Sequence, residues 1–186
     1  MLAFHVDYWN HLHWKDPYSK RAFTERQRRY AHALGTRSLY TPQMVVNGRE
    51  EFVGSNRSKA FAAVESALKT PAGAQISLHA VSPQTRSDFQ IAFAVEGADT
   101  DTEIHFALVE RGIVRTISRG ENSAKTLRPE HVARSFETVD LQNKKSGTAA
   151  LDLPRDLRFR NASIIAFTQE KNSREITGAT AIALSR

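Results

Sequence analysis

The chain contains no cysteine. That absence excludes disulfide bonds, a thiolate nucleophile and every metal site built on sulfur. It also removes the usual sequence clue to redox compartment. No apolar run approaches the roughly 18 residues that a membrane-crossing helix needs. The first residues, MLAFHVDYWNHLHW, have neither a basic n-region nor a small-residue cleavage site, so they do not read as a signal peptide. There is no nucleophile elbow, no phosphate-binding loop and no glycine-rich dinucleotide fingerprint. Repeats and low-complexity tracts are absent as well.

What is present suits a folded protein. With 186 residues, 40% of them hydrophobic and 25% charged, the chain can bury a real core as one large domain or two small ones. The net charge of +6 is uneven. Residues 1–74 carry 11 Lys/Arg against 6 Asp/Glu, and residues 75–186 carry 15 against 14. Much of the excess lies in Arg26, Arg28 and Arg29, which read first as a solvated helix face and second as an attraction for nucleic acid or anionic lipid.

Residues 1–69 have an α/β pattern. Leu2–Val6 is an apolar run of strand length. Asp16-Pro17 suits a helix start, with Asp as N-cap and Pro at the first helical position. Phe23, Tyr30 and Leu34 share one helical face, flanked by Gln27 and Ala31, and Gly35 is a natural stop. Two short apolar segments follow, in Thr41-Pro42-Gln43-Met44-Val45-Val46 and Glu50-Glu51-Phe52-Val53. Proline cannot donate to a sheet ladder and so belongs at a strand's first residue or at an edge. Asn47-Gly48 is a strong hairpin signal, because both residues accept positive φ. Residues 43–46 and 50–53 are therefore expected to pair antiparallel. A second helix should begin near Ser55 or Asn56, with Ala60, Phe61, Val64 and Leu68 as its inner face.

Thr70-Pro71-Ala72-Gly73-Ala74 is rich in breakers and marks a boundary between domains at 1–70 and 75–186. Beyond it the period becomes two. Phe89, Ile91, Phe93 and Val95 alternate with small or polar residues, as do Ile104, Phe106 and Leu108. Further strands are expected near Ile76–Val81, Ile113–Ile117, Ala149–Leu153, Ser163–Thr168 and Thr180–Leu184. Such spacing points to an antiparallel sandwich without long helices.

HVDYWNHLHWKDP, FTERQRRYA, YTPQMVVNG and FVGSN, in this order and spacing, resemble a bacterial, mostly exported, thioredoxin-like family. It is catalogued as domain of unknown function twelve twenty-three. The similarity extends to RGENSAKTLRPEHVAR, Arg119 to Arg134. The sequence departs from the family pattern at Asn10, His13, Pro129 and His131, which weakens any role for the aromatic loop. The resemblance implies a cis bond at Thr41-Pro42 and a periplasmic or secreted setting. Family members usually carry a strand, a Cys-x-x-Cys-Pro segment and a helix before the run matching Leu2–Val6. The resemblance therefore implies a truncated thioredoxin-like domain followed by the β-sandwich. It also implies in-frame coding sequence upstream of Met1.

Other chemistry is weighed on the residues themselves. His5, His11 and His13 lie near Asp7 and Asp16, a composition that suits transition metals. Yet two of the three share a loop with Tyr8, Trp9 and Trp14, which read as packing, so no metal or cofactor is assigned. Trp9, Trp14 and Tyr8 beside the arginines could stack on a single strand, but no nucleic-acid recognition pattern accompanies them. Arg119, Glu121, Asn122 and Arg134 suit an anion site or an inter-domain clamp, against a simpler turn made by Asn and Gly. The expectation is a cysteine-free protein without thiol–disulfide activity. The alternative is a binding module for a protein, peptide or anionic partner, using the β-domain or the face around Trp9 and Trp14.

Overall fold

The computed structural model describes residues 1–12, 14–81, 88–117, 123–142 and 144–184. Helix α1 spans Arg21–Leu34 and ends at Gly35, whose φ of 69° is the left-handed stop its position called for. Its beginning differs from the expected Asp16-Pro17. Lys20 is the N-cap and makes no side-chain cap. Asp16 instead closes a turn of its own, accepting the Tyr18 N–H at 2.9 Å, while its other carboxylate oxygen lies 2.5 Å from His5 Nδ1. Both carboxylate oxygens thus serve contacts ahead of α1, which begins only at Arg21.

Strands β1 (Gln43–Val46) and β2 (Glu50–Val53) pair antiparallel, Val46 opposite Glu50, around Asn47 (φ 47°) and Gly48 (φ 70°). Helix α2 (Arg57–Leu68) follows, and the Asn56 side chain caps it by accepting the Lys59 N–H at 3.0 Å. The expected inner face of α2 holds at Ala60 but not at its large residues. Phe61 and Leu68 are 77% and 81% exposed, Val64 is exposed too, and Ala63 is buried. Ala60, Ala63 and Ala67 form the covered stripe. Their small side chains let the helix approach the sheet closely, which turns the large apolar residues outward.

The rest is antiparallel. In chain order the strands are β3 (Gln75–Val81), β4 (Asp88–Glu96), β5 (Thr102–Glu110), β6 (Arg115–Thr116), β7 (Thr126–Leu127), β8 (Val132–Asp140), β9 (Ser146–Asp152), β10 (Ala162–Glu170) and β11 (Ile176–Ala183). A four-stranded sheet runs β11-β10-β5-β8 and a three-stranded sheet β3-β4-β9, with β6 and β7 a separate pair. Phe89, Ile91 and Phe93 of β4 meet Ile104, Phe106 and Leu108 of β5 and Ile164 of β10 in one buried cluster. The alternation read from the sequence is that inner face.

The outer face of the four-stranded sheet is covered as well. Phe4 packs edge-on against Phe23 of α1 at 5.1 Å and against Phe136 of β8 at 5.3 Å. His105, Ala107 and Val109 of β5 are consequently buried along with their inward neighbours. The Leu2–Val6 segment is a corrected expectation. It lies beside the sheet but forms a single parallel bridge, Ala3 to Val132, rather than a strand. Phe4 turns to the phenylalanines and His5 to Asp16, while the backbone is satisfied singly: Ala3 N–H donates to the His131 carbonyl, and the Ala3 and His5 carbonyls accept from Ala133 and Lys20. No helix among the described residues is long and apolar enough to cross a membrane.

Candidate functional site

Two places gather side chains that could recognise something. The first is at the start of β1. The Thr41–Pro42 peptide bond is cis. The Trp9 indole N–H donates to Thr41 Oγ1 at 3.0 Å, which ties the 9–12 turn to the loop before β1. Trp9 is 48% exposed, and Leu12 on the same turn is 42% exposed. Gln27 of α1 donates to the Tyr40 carbonyl at 2.8 Å and to Gln43 Oε1 at 3.0 Å. Gln43 in turn donates to Glu51 of β2 at 2.9 Å, and the Tyr40 hydroxyl donates to the same carboxylate. Burial, then the hydrogen bond to Glu51 and the charge behind it, pushes the Tyr40 hydroxyl up to about 12. This chain of polar contacts fixes the hairpin on α1. Among the described residues, β1 and β2 pair as strands only with each other.

The second place surrounds Arg134 on β8. The β5–β8 register shifts there: Leu108 faces Ser135 and Val109 faces Ala133, leaving Arg134 as the extra residue of a bulge. A bulge re-aims a side chain. Arg134 is 8% exposed and Glu110 1% exposed. Arg134 Nη1 donates to Glu110 Oε2, and Arg158 Nε donates to Glu110 Oε1 at 2.8 Å. The other arm of Arg134, Nη2, donates to Asp156 Oδ1 at 2.5 Å. The Tyr18 ring centre lies 4.9 Å from the Arg134 guanidinium carbon, a cation–π distance. Lys20 Nζ donates to the Arg134 carbonyl at 2.7 Å. Burial lowers the Lys20 ammonium; Asp152 opposes that shift and Arg134 adds to it. Tyr18, Lys20, Arg134, Pro154 and Asp156 line a cavity of about 300 Å³.

The sequence-derived residues are thus divided. Trp9 joins Thr41 and Pro42, and Arg134 joins Tyr18 and Lys20. Trp14 is half-buried. Arg119, Glu121 and Asn122 lie outside the described residues, as does His13. The expected solvated arginine face needs correction at Arg26, which is 5% exposed because it points into the sheet. Arg28 and Arg29 do line an outer groove of about 900 Å³ with Lys171 and Arg174. Much of that charge is answered locally, Arg28 by Glu25 at 2.5 Å, Lys171 by Asp140 at 2.8 Å and Arg174 by Glu103 at 3.5 Å. His5 is held by Asp16, and His11 Nδ1 lies 2.7 Å from the Tyr8 carbonyl. Among the described residues, no group of three or more His, Asp or Glu is placed to hold a metal ion.

Sequence reasoning missed Tyr18, Lys20, Glu110, Asp156 and Arg158. A signal for one of them existed. Glu110 closes an apolar strand whose every residue from Ile104 is buried, and a carboxylate in that position needs a cation.

Residues 1–169 match a family model described as protein of unknown function, DUF1223. Among solved structures, the chain is similar to a crystal structure of a protein from Agrobacterium tumefaciens. That match has 22% identity and a TM-score of 0.68, covering 97% of this chain and 78% of the other. At that identity the likeness is one of fold. A domain of the outer membrane lipoprotein Omp28 from Porphyromonas gingivalis matches with 15% identity and a TM-score of 0.36, over 61% of this chain and 97% of that one. No curated protein matches.

Proposed function

The chain belongs to the family of proteins of unknown function DUF1223, and within it we propose a non-catalytic binding module that holds an extended segment of a partner protein. In this reading residues 1–70 are a thioredoxin-like part and residues 75–186 a β-sandwich that carries it. Thiol–disulfide exchange requires an attacking thiolate, and the sequence has no cysteine to supply one. The resemblance on which the thioredoxin-like reading rests also favours a periplasmic or secreted setting.

The observation that carries the reading is the outer edge of β1, unpaired among the described residues, beside an exposed indole pinned to its entry loop. An unpaired edge offers backbone donors and acceptors to an incoming strand, and flanking apolar side chains select its residues. Trp9 and Leu12 supply that apolar surface. The ligand that fits is an extended peptide with apolar side chains at alternate positions.

The test is selection of peptides from a random twelve-residue display library on the whole protein. Recovered peptides are then measured against the W9A variant by fluorescence anisotropy, and against the protein by amide hydrogen exchange. Expected are at least ten-fold weaker binding to W9A, slowed exchange at residues 43–46, and loss of binding when alternate peptide amides are N-methylated. Peptides that bind W9A equally and leave 43–46 exchanging at the free rate would overturn the reading.

A further inference from the structure

We propose that the cavity beside Arg134 is a binding site for a small organic carboxylate, and that Asp156 is its built-in occupant. Arg134 is held asymmetrically. Its inner arm meets Glu110, whose side chain is 2% exposed, and its outer arm meets Asp156, whose side chain is 70% exposed. Each Glu110 oxygen already accepts from an arginine, and the side chain is buried away from other cations. The inner pair is therefore a fixed part of the fold. The outer pair sits at the cavity mouth on the Arg155–Asp156 turn, where water competes for the carboxylate.

An arginine so placed has the features of a carboxylate receptor. Its plane is set by Glu110 and by the Tyr18 ring, so little side-chain freedom is lost when a ligand arrives. Its free direction points into a cavity of about 300 Å³, at the small end of the range for ligand sites. Lys20 stands on the same cavity wall with one N–H committed to the Arg134 carbonyl and two others to offer. A ligand carboxylate that displaces Asp156 from Nη2 recovers the same charge-assisted hydrogen bond and gains the Lys20 ammonium. The remaining anions near the cavity are Asp152, whose field reaches Lys20, and Asp16, which is engaged with His5. This site is separate from the β1 edge, and neither proposal needs the other.

Removing the resident carboxylate should open the site. The experiment is isothermal titration calorimetry with succinate and with N-acetyl-dialanine bearing a free C-terminal acid. The proteins are the unaltered chain, D156N, D156N combined with R134K, and D99N as a remote change of equal charge. Expected is a gain of at least ten-fold in affinity for D156N with one or both probes. The gain should be lost when R134K is added and absent in D99N. Tighter binding of succinate identifies a free acid as the ligand type, and tighter binding of the peptide acid identifies a chain terminus. Equal affinities for the unaltered chain and D156N would overturn the proposal. So would an equal gain in D99N, or a gain that survives R134K in a protein whose melting temperature is unchanged.

Discussion

Arg26 Nη2 of α1 donates to Gln169 Oε1 of β10 at 3.0 Å, a bond that spans 143 residues of chain and lies wholly inside the protein. Among the described residues no carboxylate meets this guanidinium. Its carbon instead lies 5.0 to 5.5 Å from the ring centres of Phe4, Tyr30, Phe136 and Phe167. Aromatic faces are the one apolar surface that attracts a cation, and arginine is the more weakly hydrated of the two long cations. Tyr30 and Gln169 join the shell: the Arg26 Nη2 donates to the Tyr30 hydroxyl at 2.9 Å, and Gln169 Nε2 donates to the same oxygen at 2.8 Å.

Replacing Arg26 by alanine therefore removes several cation–π contacts and leaves Gln169 Oε1 without its donor. The expected loss is about 3 kcal/mol of unfolding free energy, from contact and unsatisfied-acceptor terms together. Methionine keeps much of the side-chain volume and carries no charge to desolvate, so R26M should lose only about 1 kcal/mol. Urea denaturation compares the two. A loss below about 0.5 kcal/mol in R26A would show that the buried charge costs as much as its shell returns.

The same cluster predicts acid sensitivity. His105 is buried between Phe136 and Phe167, its ring centre 5.3 and 4.9 Å from theirs, and its Nδ1 lies 2.8 Å from Thr138 Oγ1. Burial, then the field of Arg26, pushes its titration down to about 2; Arg174 and Arg29 act the same way and Gln169 opposes them. Glu103, 3.6 Å away, is the nearby anion. A folded-state value below the unfolded one means that the unfolded chain binds the extra proton. The stabilisation is complete above about pH 6.5 and is lost as pH falls. Between pH 7 and pH 5 this one group should cost about 2 kcal/mol. The H105F variant should lose much less over that interval. Equal pH slopes in the two proteins would exclude His105 as the cause.

How far the sequence disclosed this arrangement follows from what each residue reports. Phe89, Ile91, Phe93 and Val95 face one core and a polar strip, so their alternation was readable. Asn47-Gly48 reports its own backbone, so the hairpin was readable too. β5 kept its alternation at Ile104, Phe106 and Leu108, but the start of β8 is covered on both faces and shows none. Val132, Ala133, Arg134 and Ser135 are all buried, and β8 was accordingly missed. The Arg134 cluster draws on residues 18, 20, 110, 134, 156 and 158, which only the tertiary fold brings together. Arg26 projects beside Phe23 and Tyr30 on the helix and reads as surface only by its charge, because the Phe136 and Phe167 rings that receive it come from distant strands.

Gly48 supports a prediction about how the hairpin meets the β-sheets. A Cβ built there would stand 1.8 Å from the Arg174 carbonyl oxygen, at a φ that already disfavours side chains. The neighbouring Ile176 N–H donates to the Asn47 carbonyl at 2.9 Å, and Arg49 pairs with Glu175. The hairpin tip thus rests directly on the β10–β11 turn. G48A should cost about 2 to 4 kcal/mol, combining a left-handed residue with a clash against backbone. Faster amide exchange at Ile176 should accompany the loss. A thermal midpoint equal to that of the unaltered chain would show the tip free of the turn.

Helix α2 offers a choice between the face read from sequence and the face observed. Burial of Phe61, Val64 and Leu68 would make each a core residue, and charging two of them would cost several kcal/mol. Phe61 and Leu68 are instead the most exposed large apolar residues of the helix, and Ala63 is 6% exposed. The combined variant F61K/L68K should therefore stay within about 0.5 kcal/mol of the unaltered chain. A63L inserts bulk between α2 and β1–β2 and should cost about 1 to 3 kcal/mol. The two arrangements reverse which variant loses more stability, so one denaturation series decides. A large loss in F61K/L68K with a small one in A63L would mean that the helix is rotated by about one residue, placing the phenylalanine inside.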